Sequence, residues 1–95
     1  MIMNIKQEDN GKKGKFFVEL DGKQEAEMTY TYAGSDKIII DHTEVSEKLK
    51  GQGVGYKLVE AAVEFMRDKG LKVIPLCPFA AAVFKKKHEY SDRLA

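Results

Sequence analysis

The chain has no tryptophan, one cysteine, two prolines and a net charge of only +1, and each shortage removes a class of answer. A lone Cys77 forms no internal disulfide. The small net charge removes any strong expectation of a surface that tracks nucleic-acid phosphates, which usually shows as a basic excess. Tyr30, Tyr32, Phe16 and Phe17 read as strand packing rather than as a base-stacking platform. No nucleic-acid partner is expected. No apolar run is long enough to cross a membrane, and residues 1–6 lack the charged-then-apolar pattern of a signal peptide. The expectation is therefore a cytoplasmic unit, monomeric or homodimeric, with no membrane partner and no metal site.

What is present suits one small domain. In 95 residues, 43% hydrophobic and 33% charged content is ordinary for a globular chain. No linker, internal repeat or second domain is visible. Alternation begins at residues 2–7 as a short first strand and gives way to a charged, glycine-bearing turn over residues 7–14. Residues 15–20 alternate with period two and predict a strand. Asp21-Gly22 then favours a tight turn in which both central residues take positive φ. Its partner strand spans residues 23–32, with Ala26, Met28, Tyr30 and Tyr32 on one face and Glu25, Glu27, Thr29 and Thr31 on the other.

The chain is organised around residues 38–77. Ile38-Ile39-Ile40 opens a strand that reads as buried on both faces and turns polar at Asp41, His42, Thr43 and Glu44. A loop with glycines at 51, 53 and 55 leads into an amphipathic helix over about residues 54–69. Its apolar stripe is Val54, Leu58, Ala61, Ala62, Phe65 and Met66, and Gly70 ends it. A second strand, residues 71–77, should lie parallel to the first, and a helix begins at Pro78 with Cys77 as its N-cap. The fold class is α/β (α+β): a mixed sheet of antiparallel N-terminal strands, then β-α-β and a C-terminal helix. Glycines at the start of a helix leave bare N–H groups at the positive end of its dipole, where an anion can sit; they also suit a plain mobile turn. Neither a dinucleotide fingerprint nor a Walker-type loop matches the spacing.

The segment Val45-Ser46-Glu47-Lys48-Leu49-Lys50-Gly51-Gln52-Gly53-Val54-Gly55 resembles the signature of the GNAT superfamily of acyl-CoA-dependent N-acyltransferases. That signature is Arg or Gln, two residues, Gly, one residue, then Gly or Ala. Lys50 stands at the Arg/Gln position, which keeps charge but loses the guanidinium fork. Residues 71–84, with Pro75-Leu76-Cys77-Pro78-Phe79, resemble a very small subfamily, and the likeness covers roughly residues 15–88. It implies acetyl-CoA, or a close acyl-CoA, as cosubstrate. The cofactor-binding residues would be Val45, Lys50, Gly51, Gln52, Gly53, Val54, Gly55 and Tyr56, with the pyrophosphate on the backbone N–H groups from Gly51 to Tyr56, and the pantetheine arm would enter where the parallel strands splay. Full-length members carry helices between their first two strands that help form the acceptor site; here Asp21-Gly22 makes that connection a tight turn. The tyrosine that often serves as general acid has no match: Phe84 lies nearest and Tyr90 six residues beyond.

Three residues are candidates for the chemistry. Cys77, at a helix N-terminus, is placed either to be acylated as a nucleophile or to protonate departing CoA; it also suits a small buried packing role. His42 and Glu44 are two apart on a strand and share a face, as a base near neutral pH or as a solvated strand end. Lys85-Lys86-Lys87 complement a helix C-terminus, with attraction of CoA phosphates as a secondary role. The expected function is acyl transfer to an amine, small-molecule or protein. The alternatives are a non-catalytic acyl-CoA-binding or sensing module without a complete acceptor site, and a domain that binds only an inorganic anion.

Overall fold

The tight turn at Asp21-Gly22 has φ of 53° and 78°, as an Asp-Gly type I′ hairpin requires, and it joins the two strands that anchor the sheet. The structure is a computed structural model and describes residues 4–95. Its strands are β1 (Lys6–Asp9), β2 (Lys13–Leu20), β3 (Lys23–Tyr32), β4 (Lys37–Val45) and β5 (Lys72–Pro75), in spatial order β1-β2-β3-β4-β5. The first four pair antiparallel, and β5 pairs parallel to β4 from Lys37↔Lys72 to Ile40↔Pro75. The helices are α1 (Val54–Lys69) and α2 (Pro78–Lys86). Short 3-10 turns cover Glu47–Leu49 and His88–Arg93.

Residues of α1 and α2 join one buried cluster with Phe16, Val18, Met28, Tyr30, Ile38 and Ile40, so both helices cover the same face of the sheet. Ile39 is only half-buried, because the opposite face carries polar rows instead of a helix. One such row is Lys6–Phe17–Glu27–Glu44, polar except for the buried Phe17, and the next is Glu8–Lys15–Thr29–His42, each read directly from strand pairing. The expectation of a strand buried on both faces therefore fails: three consecutive isoleucines look doubly buried, but β-propensity alone explains Ile39.

The N-terminal boundary also differs from expectation. Polar residues 6–9 form β1, and the turn shrinks to residues 10–12. Charge along an edge strand is ordinary and gives no alternation to read. Residues 2 and 3, placed in the first strand by their alternation, lie outside the described residues. What fixes β1 is a polar knot. The Tyr30 and Tyr32 hydroxyls each donate to Asp9 Oδ2 at 2.6 Å, and Gln7 Nε2 donates to the Tyr30 oxygen at 2.8 Å. Burial works against ionisation of Asp9, but the two hydroxyls and the Gly11 N–H outweigh it and hold the carboxyl below its usual range. Burial, followed by that same carboxylate, pushes Tyr32 up to about 12. A depressed carboxyl contributes stability above its unfolded pKa of about 3.9 and loses it as pH falls through the folded value. Asp9→Ala should therefore cost about 1 kcal/mol, at the low end because Asp9 is exposed, and should flatten the acid limb of the Tm–pH curve below about pH 4.

A β-bulge sets the geometry of β4. Thr29 pairs with His42 and Tyr30 with Ile40, so Asp41 is an extra residue on β4. Its carboxylate accepts from the hydroxyls of Thr29 and Thr31. An added residue reverses the alternation. Before it, Ile38 and Ile40 face the helices; after it, Thr43 and Val45 do, while His42 and Glu44 take the open face.

Candidate functional site

The parallel pairing of β4 and β5 stops at Ile40↔Pro75. There the N–H groups of Leu76 and Cys77 both donate to the Ile40 carbonyl, at 2.9 and 3.0 Å, and β5 turns away into α2. β4 runs on to Val45 without it, so the strands splay. Inside the splay Cys77 Sγ lies 3.3 Å from Thr43 Oγ1. Burial raises the Cys77 pKa, but the Thr43 hydroxyl and backbone groups of Ala80, Phe79 and Thr43 favour the thiolate and bring the net shift below the ordinary thiol value.

A cleft of about 510 Å³ opens beside this gap. Thr43 and Val45 of β4 line it, as do Lys50, Gly51 and Gly53 of the loop, Val54, Gly55 and Tyr56 of α1, and Phe79 of α2. The loop is built for exposed backbone. Gly51 and Gly53 have φ of 81° and 72°, and Gly53 is the N-cap of α1 with no side chain to satisfy the first N–H groups. Within the loop, Gln52 N–H donates to Leu49 and Lys57 N–H to Gly53. The N–H groups of Gly51, Gly53, Val54, Gly55 and Tyr56 find no acceptor among the described residues. Gly55 is glycine for a different reason: a Cβ there would stand 2.5 Å from Phe79 Cζ, so its absence lets the Phe79 ring lie against α1 as one wall of the cleft.

Of the residues the sequence nominated around the loop, only Gln52 is not on the cleft wall; its side chain turns back to the Lys48 carbonyl at 3.2 Å. Lys50 is on the wall, but its ammonium pairs with Glu47 at 2.8 Å in an exposed contact. Cys77 lies beside the cleft through Thr43. His42 and Glu44 do share a face, with Nε2 and Oε2 3.2 Å apart, but the bulge puts them on the opposite side of β4 from Thr43 and Val45. Phe84 is buried and Tyr90 packs its edge against it, 6.1 Å between ring centroids; neither lines the cleft.

Sequence reasoning missed Thr43 and Phe79, and it gave Lys85-Lys86-Lys87 attraction of phosphates only as a role secondary to complementing the helix C-terminus. Lys86 and Lys87 place their ammonium groups 6.0 and 5.8 Å from the centroid of Tyr56, whose ring meets Phe79 edge-on at 5.8 Å. The C-terminus of α2 thus brings cations to the mouth of the cleft. The spacing of Phe79 and Lys86, seven residues apart on a helix, carried that signal.

Comparison with known proteins agrees with this geometry. Protein NATD1 of Xenopus tropicalis is 30% identical over 94 residues, covering 96% of this chain and 86% of that protein. The human protein of the same name is 29% identical over 93 residues, covering 95% of this chain and 82% of its own. The solution structure of a GCN5-like protein from Staphylococcus aureus superposes with a TM-score of 0.77 at 41% identity, covering 97% of this chain and 87% of that one. A GNAT family acetyltransferase from Elizabethkingia anophelis, solved with acetyl-CoA bound, has a TM-score of 0.64 over 77% of this chain and 63% of its own. At 12% identity that likeness is one of fold alone. Residues 15–93 match the profile of the GCN5-related N-acetyl-transferase family, and the chain therefore belongs to that family of acyl-CoA-dependent acetyltransferases.

Proposed function

We propose that the chain binds acetyl-CoA, or a close acyl-CoA, with the pyrophosphate on the glycine loop and the thioester in the splay beside Cys77, and transfers the acyl group to an amine. The observation that carries this reading is the set of acceptor-free N–H groups at Gly51, Gly53, Val54, Gly55 and Tyr56. An anion supplies the acceptors they lack, at the positive end of α1. The apolar wall formed by Val45, Val54 and Phe79 suits a pantetheine arm.

Two roles suit Cys77. As a nucleophile its thiolate attacks the thioester carbonyl, CoA thiolate leaves, and the amine then attacks the acyl-cysteine to restore the thiol. As an acid it gives its proton to the CoA thiolate while the amine attacks directly. In either case the amine nitrogen must lose a proton. His42 and Glu44 serve that step for an amine entering from the open face through the gap between the strands. Calorimetric titration with acetyl-CoA, followed by intact mass of the same sample, separates these routes. A gain of one acetyl group that disappears in Cys77→Ala supports the nucleophile, and binding with no adduct supports direct transfer. Absence of binding would refute the assignment.

The Asp21-Gly22 turn favours a second reading, because it leaves no residues there for helices that would wall an acceptor site. On that reading the chain binds acyl-CoA without turning it over. A panel of amines that leaves the thioester unconsumed would establish it.

The lysines at the mouth of the cleft supply charge that Lys50, paired with Glu47, does not. Lys86→Ala combined with Lys87→Ala should weaken acetyl-CoA about threefold to tenfold at low ionic strength, with the difference shrinking at about 0.5 M salt. Titrations at two salt concentrations check this.

A further inference from the structure

Two cations at the mouth of the cleft have no anionic partner. Lys86 ends α2 and Lys87 is its C-cap, and among the described residues neither forms an ion pair. Consecutive side chains of a continuing helix diverge by about 100°. Here Lys87 leaves the helix at φ −97° and ψ 84°, and both ammonium groups converge on the Tyr56 ring of α1. Service to the last carbonyls of α2 would hold these groups at their own helix and does not account for their meeting at another. They stand 6.0 and 5.8 Å from the ring centroid, at the outer limit of about 6 Å for attraction to an aromatic face. Their N–H donors stay free for a ligand.

The surroundings leave that charge uncancelled. No acidic residue lines the cleft, and the first turn of α1 carries none. The other lysine of the cleft, Lys50, is neutralised by Glu47. Tyr56 ties the lysines to the glycine loop, because its N–H belongs to the acceptor-free set and its ring is the one they approach. Sites for two anions therefore lie about one tyrosine side chain apart. Acyl-CoA carries its charge in that pattern, with a pyrophosphate in the chain and a phosphate monoester on the 3′ carbon of the adjoining ribose. A phosphate monoester bears about −1.5 to −2 at pH 7, more than either half of a pyrophosphate diester, and compact ammonium charges suit it.

Resting on the acetyl-CoA reading above, we propose that Lys86 and Lys87 bind the 3′-phosphate and so distinguish CoA thioesters from their 3′-dephospho forms. The glycine loop then supplies affinity common to both ligands, and the end of α2 supplies the difference between them.

The test is calorimetric titration of the full chain with acetyl-CoA and with 3′-dephospho-acetyl-CoA at low ionic strength. The parent should prefer acetyl-CoA by about threefold to tenfold, the range for a solvent-exposed charge contact. Lys86→Ala combined with Lys87→Ala should bind the two ligands equally, and the dephospho form as tightly as the parent does. Lys86→Arg combined with Lys87→Arg should keep the preference, and circular dichroism verifies that both double variants are folded. Equal binding of the two ligands by the parent would overturn the proposal and leave the acetyl-CoA reading standing. A preference that survives in the alanine variant would overturn it by placing the 3′-phosphate elsewhere. Equal weakening of both ligands in that variant would also overturn it, as attraction to the pyrophosphate alone. Binding of neither ligand by the parent would remove the acetyl-CoA reading and this proposal with it.

Discussion

Acetyl-CoA affinity should fall about a hundredfold in Gly53→Asp while the fold persists. The position has φ of 72°, and a Cβ built there meets no atom within 4 Å, so the added side chain enters open space at the start of α1. Aspartate tolerates this backbone region better than most residues. The damage is therefore electrostatic. A carboxylate about 5 Å from a phosphate charge costs about 3 kcal/mol at an effective dielectric of about 20, or roughly two decades in affinity. Gly53→Asn has a similar shape without the charge and should lose far less. Calorimetric titration of both variants, with thermal melts as the check on folding, decides the matter. Equal affinity in Gly53→Asp and the parent would remove the loop from the site.

The second large effect is expected at Cys77. Cys77→Ala should reduce kcat/KM with an accepted amine by about a hundredfold or more, the lower end of what a positioned acid or nucleophile contributes. Acetyl-CoA affinity should change by no more than about threefold, because the thiol adds little to ground-state binding. Cys77→Ser should also be inactive, since a hydroxyl beside Thr43 ionises far less readily than a thiol. The pH profile carries the sign. The Thr43 hydroxyl and neighbouring backbone groups overcome burial and lower the thiol's pKa, so the thiolate limb should appear below the usual thiol range. Substituting Thr43 by Val should move that limb upward. If Cys77 serves only to pack the α2 corner, Cys77→Ala keeps its turnover and Thr43→Val leaves the profile unmoved.

Much of the architecture was legible because local rules act alone there. Asp21-Gly22 specifies its turn, and period-two alternation specifies β3 to the residue. The α1 stripe, closed by Gly70 at φ 71°, specifies its helix. Cys77 as the N-cap of α2 followed from Pro78. The illegible features depend on pairing between distant residues. The Asp41 bulge leaves no mark in the residue pattern, yet it decides that Thr43 faces the thiol and that His42 and Glu44 face away. Phe79 becomes a cleft wall only because Gly55 of another element leaves room for its ring. The loop glycines could be read from sequence, but which N–H groups lack acceptors could not, since that depends on where Gln52 and Lys57 send theirs.

The measurement that reaches the central claim most directly is an NMR titration of the uniformly 15N-labelled chain with acetyl-CoA. The account predicts saturable shifts largest at the amides of Gly51, Gly53, Val54, Gly55 and Tyr56, with smaller ones at Thr43 and Cys77. Saturation whose largest shifts fall elsewhere, or no saturation at millimolar acetyl-CoA, would contradict it.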